Sequence, residues 1–98
     1  MKTYMYMLNL VERLHDDKNW TKEDEIAVEE HYLRLKEDYS KGLVLHVGRT
    51  LDVIHRGFGL VVYQAENDEL AETYMQNDPA VKKHCMEAYF MEYKIIFN

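Results

Sequence analysis

With 98 residues, 47% of them hydrophobic and only one a proline, the chain is expected to form a single globular domain over residues 1–98. Its net charge of −6 argues against a nucleic-acid partner, because phosphate binding needs a basic surface and 18 acidic residues outnumber 12 basic ones. A single cysteine cannot form an intramolecular disulfide, and no apolar run reaches the ~20 residues of a membrane helix, so we expect a cytoplasmic protein without a membrane partner.

The N-terminal half of the sequence predicts a strand, a loop, a long helix and a second strand. Residues 2–10 alternate with a period of two, which is typical of a strand, and the polar residues 11–20 are expected to form an irregular loop. The helix over 21–41 begins with a capping-box pattern. Gly42 is expected to end it in a left-handed conformation, before a strand over 43–48.

The predicted helix carries an apolar stripe with a histidine beside it. Val28, Tyr32, Leu35 and Tyr39 fall within about 40° of one another at 100° per residue, so we expect them to face the core. His31 lies about 60° from the centre of this stripe, at the boundary between core and solvent. A histidine in this position can be tuned for proton transfer near neutral pH, although a structural histidine bonded to a backbone carbonyl fits the same pattern.

The C-terminal half predicts a turn, a strand, two helices and a last strand. A turn-rich stretch precedes the segment 58–65, which is rich in β-branched and aromatic residues. Helices are expected over 67–76 and 78–86, because an asparagine and then an aspartate–proline pair form typical N-caps. Residues 88–97 alternate again and predict the last strand.

The order of these elements, β-α-β-β-α-α-β, favours an α+β fold. It suits a ferredoxin-like four-stranded antiparallel sheet with the helices on one face. The eight tyrosines and six methionines would leave the helix-free face of that sheet apolar. Because an exposed apolar sheet face normally marks an interface, we expect two copies to pack sheet against sheet as a homodimer, a dimeric α+β barrel.

Asp78 is the carboxylate best placed to act with His31. A helix-capping aspartate lies at the rim of the sheet, where it can reach a neighbouring helix, although capping alone would also explain it. Asp38 shares nearly the same helix face as His31, but the helical rise separates their Cα atoms by about 10 Å, too far for a hydrogen bond. Asp38 is instead expected to pair with Arg34 at i, i+4 spacing.

Three residues at the end of the second strand are candidates for contacting a ligand. His46 and Gly48 are expected on one face of the strand, where the glycine leaves room for a ligand or for close chain approach. Arg49 is a candidate anchor for an anion. The five histidines show no metal-ligand spacing such as HxxxH and no glycine-rich phosphate loop occurs, so no metal or cofactor is expected.

The chain resembles the YciI-like (YCII-related) family of small bacterial proteins over nearly its whole length. The matching features are a tyrosine-rich first strand, the sequence His31-Tyr-Leu-Arg-Leu on the first helix, and a strand running from Gly42 to Gly48. The pair Asp78-Pro79 at a helix start and a terminal strand with a lysine and aromatic residues also fit the family pattern.

This resemblance implies a ferredoxin-like fold that dimerises through its sheets, with a site built on His31 and Asp78. Most members of the family have no established reaction, and a few act on chlorinated aromatic ring compounds, as dehydrochlorinases or in related lactone chemistry. In such reactions a histidine oriented by a carboxylate moves a proton without any cofactor. The chain departs from the family pattern where Arg49 replaces a usual proline, His46 a usual small residue and Ala80 a usual aromatic residue.

Three functions remain open from the sequence. The first is a cofactor-free enzyme of the lyase or isomerase type on a small, aromatic or anionic metabolite, with His31 as general acid and base and Asp78 as its orienting partner. Under that hypothesis the substrate contacts are His46, Gly48 and Arg49. The second is a non-catalytic homodimeric module that binds a small molecule or a partner protein. The third is a cofactor-independent monooxygenase of the dimeric barrel type.

Overall fold

The structure is a computed structural model that describes all residues, 1–98, as an α+β fold with four strands and three helices. In chain order these are β1 Lys2–Leu10, α1 Lys22–Ser40, β2 Val44–Arg49, β3 Gly59–Ala65, α2 Asp68–Gln76, α3 Pro79–Lys82 and β4 Met86–Glu92. The strands form one open antiparallel sheet in the order β2-β3-β1-β4. This is the ferredoxin-like arrangement expected from the sequence. None of the helices combines the length and apolarity needed to cross a bilayer.

The alternation of β1 decides which side chains meet the helices. Tyr4, Tyr6 and Leu8 point to the helical layer and are almost completely buried. Tyr63 of β3 lies opposite Tyr4 in the register and shares this face of the sheet. Its hydroxyl group donates a hydrogen bond of 2.7 Å to the carbonyl oxygen of Ala71 on α2. The core is therefore rich in tyrosine, and hydrogen bonds to the helices satisfy hydroxyl groups that would otherwise be buried at a cost.

Local capping signals define the helix ends, as predicted. The hydroxyl group of Thr21 accepts a hydrogen bond from the backbone N–H of Asp24, and the Asp24 carboxylate accepts one from the backbone N–H of Thr21. Gly42 follows α1 with a φ of +81°, the left-handed conformation that favours glycine. At the start of α3, Asp78 accepts a hydrogen bond from the backbone N–H of Ala80.

The sequence prediction was wrong about the last helix and the last strand. α3 ends at Lys82, about a turn earlier than expected, and His84 then adopts a positive φ of 61° that a helix does not allow. The final strand covers Met86–Glu92 and not 88–97. β4 pairs only with β1, and the last residue of β4 lies opposite Tyr4. Because β1 begins two residues before Tyr4, residues beyond the end of β4 soon have no strand to pair with.

The segment 11–20 is more ordered than the irregular loop that was predicted. It forms two 3₁₀ turns, Glu12–His15 and Asp17–Asn19. Leu14 is buried, and its carbonyl oxygen accepts a hydrogen bond from the indole nitrogen of Trp20. The small second core of the domain consists of Leu14, Ala27, Ala80 and Cys85. Leu14 therefore anchors a segment whose composition is mostly polar.

The buried face of α1 overlaps the predicted one only at Leu35, which is buried as expected. Its buried residues are Asp24, Ala27, His31 and Leu35. Tyr32 and Tyr39, expected in the core, are 48% and 60% exposed. At 100° per residue the buried face is rotated by about 60° towards His31. The prediction failed because two of the buried residues are polar and have partners on other elements, namely Arg13 and Asp78, which hydrophobic periodicity does not reveal.

The ion pair expected between Arg34 and Asp38 does not form. Both side chains instead contact Tyr74 of α2. The guanidinium carbon of Arg34 lies 3.9 Å from the centre of the Tyr74 ring, and its Nη2 donates to the Tyr74 carbonyl oxygen at 2.8 Å. The hydroxyl group of Tyr74 donates to Asp38 at 2.5 Å. Through Tyr74, these contacts hold α2 against α1 on the helical side of the sheet.

Candidate functional site

His31 and Asp78 are buried together between α1 and the start of α3. The ring nitrogen Nδ1 of His31 lies 2.7 Å and 2.8 Å from the two carboxylate oxygens of Asp78. Both side chains are almost completely inaccessible to solvent. The packing of α3 against α1 thus brings together two residues that are 47 positions apart in the sequence.

Two further donors hold the Asp78 carboxylate in place. The hydroxyl group of Tyr6 donates to Oδ2 at 2.6 Å, and the backbone N–H of Ala80 donates to Oδ1 at 2.9 Å. Burial raises the pKa of Asp78, but the hydrogen bond and charge of His31, together with the bonds from Tyr6 and Ala80, outweigh burial and lower it overall. Asp78 is therefore ionised at neutral pH, and as an acceptor it receives a hydrogen bond from the N–H group at Nδ1 of His31.

Tyr6 can act only as a donor in this arrangement. Burial, and then the charge of Asp78 and its hydrogen bond, raise the pKa of Tyr6 far above its ordinary value. The Tyr6 hydroxyl group therefore keeps its proton and directs it at the carboxylate. As a result Asp78 is restrained from three sides, by one backbone and two side-chain donors.

The second ring nitrogen of His31, Nε2, has no partner within the protein, and His31 lines a cavity. Among side-chain nitrogen and oxygen atoms that are fully shielded from solvent, only Nη1 of Arg34 lacks a hydrogen-bond partner. Because Nε2 of His31 also lacks a partner and is not in this group, it keeps some solvent-accessible surface. His31 lines a cavity of about 370 Å³ at the end of the sheet where β1 and β2 end and β3 begins. This volume is near the lower end of the range of about 300–1,000 Å³ that is typical of ligand sites.

The cavity wall is mainly apolar. Eleven of its 15 lining residues are hydrophobic, and none is an aspartate or a glutamate. Three aromatic side chains, Trp20, Tyr32 and Phe58, form part of the wall. The ionisable side chains that line it are those of His31, Tyr32 and Arg49. A ligand in this space would therefore meet an apolar surface with a few polar groups that can orient it.

The structure places the three predicted ligand-contacting residues in two environments. Gly48 and Arg49 line the cavity, whereas His46 does not. His46 is paired with Val62 in the register and lies on the helix-free face of the sheet. Its ring covers Gly48, since a Cβ atom added to Gly48 would lie 3.0 Å from His46 Nε2. The space left by the glycine is thus occupied by His46, and ligand contacts by these three residues remain predictions.

Sequence reasoning missed the contribution of Tyr6 and of the two aromatic residues outside α1. Tyr6 was treated only as one of the alternating residues of the first predicted strand, although a buried tyrosine hydroxyl group requires a partner and could have signalled a polar contact. Trp20 follows the second 3₁₀ turn and Phe58 follows the turn-rich stretch before β3, and nothing in their local pattern places them at the same cavity. No three His, Cys, Asp or Glu side chains are grouped so that they could hold a metal ion.

Comparison with known proteins identifies the family of the chain. No curated protein matches the chain at a significant level. A family model described as the YCII-related domain matches residues 5–94. The matched range contains both His31 and Asp78 and nearly all of the sheet. Because the match covers almost the whole sequence, this chain belongs to the YCII-related domain family.

Proposed function

We propose that this protein is a cofactor-free enzyme of the lyase or isomerase type that moves a proton on a small metabolite. One observation carries the proposal: Nδ1 of His31 is held by an ionised carboxylate, while Nε2 has no partner in the protein and the residue lines an apolar cavity. A histidine with a purely structural role would use its second nitrogen within the fold. In this chain the second nitrogen is left available to a ligand.

The proposed reaction begins with neutral His31. With its proton on Nδ1, the ring presents a lone pair at Nε2, which removes a proton from a carbon atom of the substrate. The Asp78 carboxylate stabilises the imidazolium that forms, and it stays ionised while doing so. The electron pair left on the substrate either expels a leaving group or shifts a double bond. In the second case Nε2 returns the proton to a different atom.

The surroundings of the pair support this chemistry in two ways. Tyr6 and Ala80 fix the carboxylate of Asp78, so the ring of His31 does not have to be reoriented during the reaction. The mainly apolar wall limits the water that can reach Nε2, which strengthens the interaction between the imidazolium and the carboxylate.

Solvent-isotope exchange tests this proposal even when the product of the reaction has not been identified. Compounds that raise the melting temperature of the protein in a metabolite panel would be incubated with it in D₂O, and deuterium incorporation at carbon would be followed by NMR. We expect His31→Gln to bind these compounds but to slow exchange by about 100- to 10,000-fold, the usual contribution of a general acid or base. His15→Gln, an exposed histidine outside the cavity wall, serves as the matched control.

Two results would contradict the proposal. The first is exchange that proceeds equally fast in wild type and His31→Gln. The second is a set of ligands that bind to the wild-type protein and are recovered without exchange or conversion, which would favour the non-catalytic binding module. Oxygen consumption with an aromatic ligand would instead favour the cofactor-independent monooxygenase.

We also propose that the protein acts as a homodimer formed through the helix-free face of the sheet. Apolar residues on this face are Met5, Met7, Leu60, Val62, Tyr89 and Met91. Tyr89 and Met91 are 48% and 54% exposed. In the paired part of the sheet only Glu87 adds a charged group to this face, although 31% of the whole chain is charged. Two copies of such a face can meet without the repulsion expected from a chain of net charge −6.

Sedimentation velocity at micromolar concentration tests the dimer. We expect wild type to sediment as a dimer and Met91→Lys as a monomer, because a lysine would have to be buried unpaired in the interface. Leu33→Lys makes the same change at an exposed position of α1 and should remain dimeric. A wild-type protein that stays monomeric at this concentration would rule out the sheet-to-sheet dimer.

A further inference from the structure

We infer that the cavity accepts small carboxylic acids with a flat apolar body, and that Arg49 binds their carboxylate group. This inference names the substrate class of the proposed enzyme and rests on the proposed function only for the identity of the reacting nitrogen, Nε2 of His31. It is carried by three features of the cavity: its charge, the form of its floor and the chemistry of its walls.

The charge of the cavity favours an anion. Arg49 forms no ion pair with any carboxylate of the protein, and its only side-chain hydrogen bond goes from Nη1 to the Thr50 carbonyl oxygen at 3.1 Å. No aspartate or glutamate lines the cavity. The guanidinium group therefore remains available for a bidentate contact to a ligand carboxylate, the geometry that arginine favours.

The floor of the cavity has a gap beside Arg49. In the sheet register Arg49 lies opposite Gly59, and Gly59 lies opposite Leu8, so the three positions form one row on the helix-facing side. Gly59 places no side chain in the middle of this row. A Cβ atom there would meet Leu8 at 3.6 Å and the Gly48 carbonyl oxygen at 3.7 Å, which are ordinary contact distances. Gly59 thus leaves room for a ligand body next to the guanidinium group of Arg49. Its neighbours would tolerate a Cβ atom, so packing of the sheet does not require a glycine at position 59.

The walls of the cavity suit a planar apolar body. Trp20 and Phe58 line it from two different segments of the chain, and Tyr32 lines it from α1. Aromatic side chains pack well against flat rings and conjugated systems. Arg49 belongs to the sheet and His31 to the helical layer, so a ligand anchored at Arg49 would extend across the cavity. Its apolar body, not its carboxylate, would then meet Nε2 of His31, as proton transfer at carbon requires.

Phenylacetate and its neutral isostere phenylacetamide provide the test. Trp20 is the only tryptophan of the chain and lines the cavity, so its fluorescence reports binding of either probe. We expect wild type to bind phenylacetate about tenfold more tightly than phenylacetamide, in line with one charge-assisted contact. Arg49→Gln should abolish this preference and leave the affinity for phenylacetamide unchanged.

Two variants control the test. Arg56→Gln removes the same charge at an exposed position that does not line the cavity, and should keep the preference for phenylacetate. Gly59→Val fills the gap in the floor at a strand position without a positive φ, and should weaken binding of both probes. Circular dichroism of each variant would show that the fold is retained.

Three outcomes would overturn the inference. They are equal affinity of wild type for the two probes, no binding of phenylacetate at millimolar concentration, and a preference for phenylacetate that survives in Arg49→Gln.

Failure of the proposed function would give different results. If phenylacetate binding depends on Arg49 but no acid exchanges protons in a His31-dependent manner, the substrate class stands as a ligand class and catalysis is excluded. If His31-dependent exchange occurs only on neutral compounds, catalysis stands and the carboxylic acid class is excluded.

Discussion

Two buried aspartates, Asp24 and Asp78, lie at the beginnings of helices and have very different surroundings. Asp24 is bound through both oxygens by the guanidinium group of Arg13, at 2.8 Å and 2.9 Å. It also accepts hydrogen bonds from Thr21 and from the thiol of Cys85, and contacts with Arg13 and Thr21 lower its pKa well below the ordinary range despite some burial. Asp78, bound to His31, likewise has a lowered pKa.

The two aspartates differ in what their partners can still do. Arg13 stays charged at all ordinary pH values and its Nη1 also donates to the Asn19 carbonyl oxygen, so the contact with Asp24 holds the 3₁₀ segment against α1. Burial and the neighbouring Asp24 raise the pKa of the Cys85 thiol to about 11, so no reactive thiolate is available there. His31, in contrast, keeps one nitrogen free at a cavity. A buried charged pair thus points to chemistry only when one partner retains an unused group that a ligand can reach.

Among changes at the two aspartates and at Tyr6, the largest expected effect is that of Asp78→Asn. The amide of an asparagine can donate a hydrogen bond to Nδ1 of His31, which favours the tautomer with the ring proton on Nε2. Nε2 then has no lone pair with which to remove a proton from the substrate. We expect solvent exchange into a bound ligand to slow by about 1,000-fold or more, while Trp20 fluorescence still reports binding. Nitrogen chemical shifts of His31 would identify the tautomer. If Asp78→Asn exchanges as fast as wild type, Asp78 has no role in proton transfer and does not differ from Asp24 in this respect.

Asp24→Asn should produce the opposite pattern. It breaks the bidentate contact with Arg13, so we expect a loss of about 1–3 kcal/mol in the free energy of unfolding, measured with urea, and no change in solvent exchange or in binding at the cavity. Glu25→Gln, an exposed acid in the same helical turn, is the matched control and should be neutral. A loss of exchange activity in Asp24→Asn without a loss of stability would show that Asp24 also serves the site.

Acid should destabilise the protein through both aspartates. Because their pKa values are lowered in the folded state, the unfolded chain binds more protons once the pH falls below the ordinary carboxyl pKa of about 4. Their stabilising contribution is therefore complete above that pH and is lost as the pH falls towards the folded-state values. We expect melting temperatures to decline below about pH 4, and less steeply in Asp24→Asn. Melting temperatures that are identical for the two proteins from about pH 5 to about pH 2 would contradict this.

The smallest effect is expected from Tyr6→Phe. This change removes one of the donors to Asp78 and keeps the aromatic ring in the core, so the loss of stability should be about 1 kcal/mol. Because the Tyr6 hydrogen bond lowers the pKa of Asp78, its removal should raise that pKa, measured by NMR titration of the Asp78 carboxyl carbon. Tyr63→Phe, which removes a buried hydroxyl group outside the site, should lower stability without shifting the titration of Asp78. If both variants shift it equally, Tyr6 has no specific role at Asp78.

Much of the architecture can be predicted from the sequence, because it depends on short-range signals. The period of two in β1, the capping box at Thr21 and the left-handed glycine at position 42 each act within a few residues. The ends of α3 and β4 were mispredicted because distant features decide them. Pairing with β1 determines where β4 stops, and the sequence of β4 alone does not contain that information.

The sequence by itself determined the ferredoxin-like order of elements and singled out His31 and Asp78 as candidate partners. Only the tertiary structure decided that their atoms meet at 2.7 Å, that Tyr6 completes the set of donors, and that His46 lies on the other side of the sheet from the cavity. The physical reason is the same in each case. Burial of a polar side chain depends on a partner that is remote in the chain, and hydrophobic periodicity records only which residues avoid water.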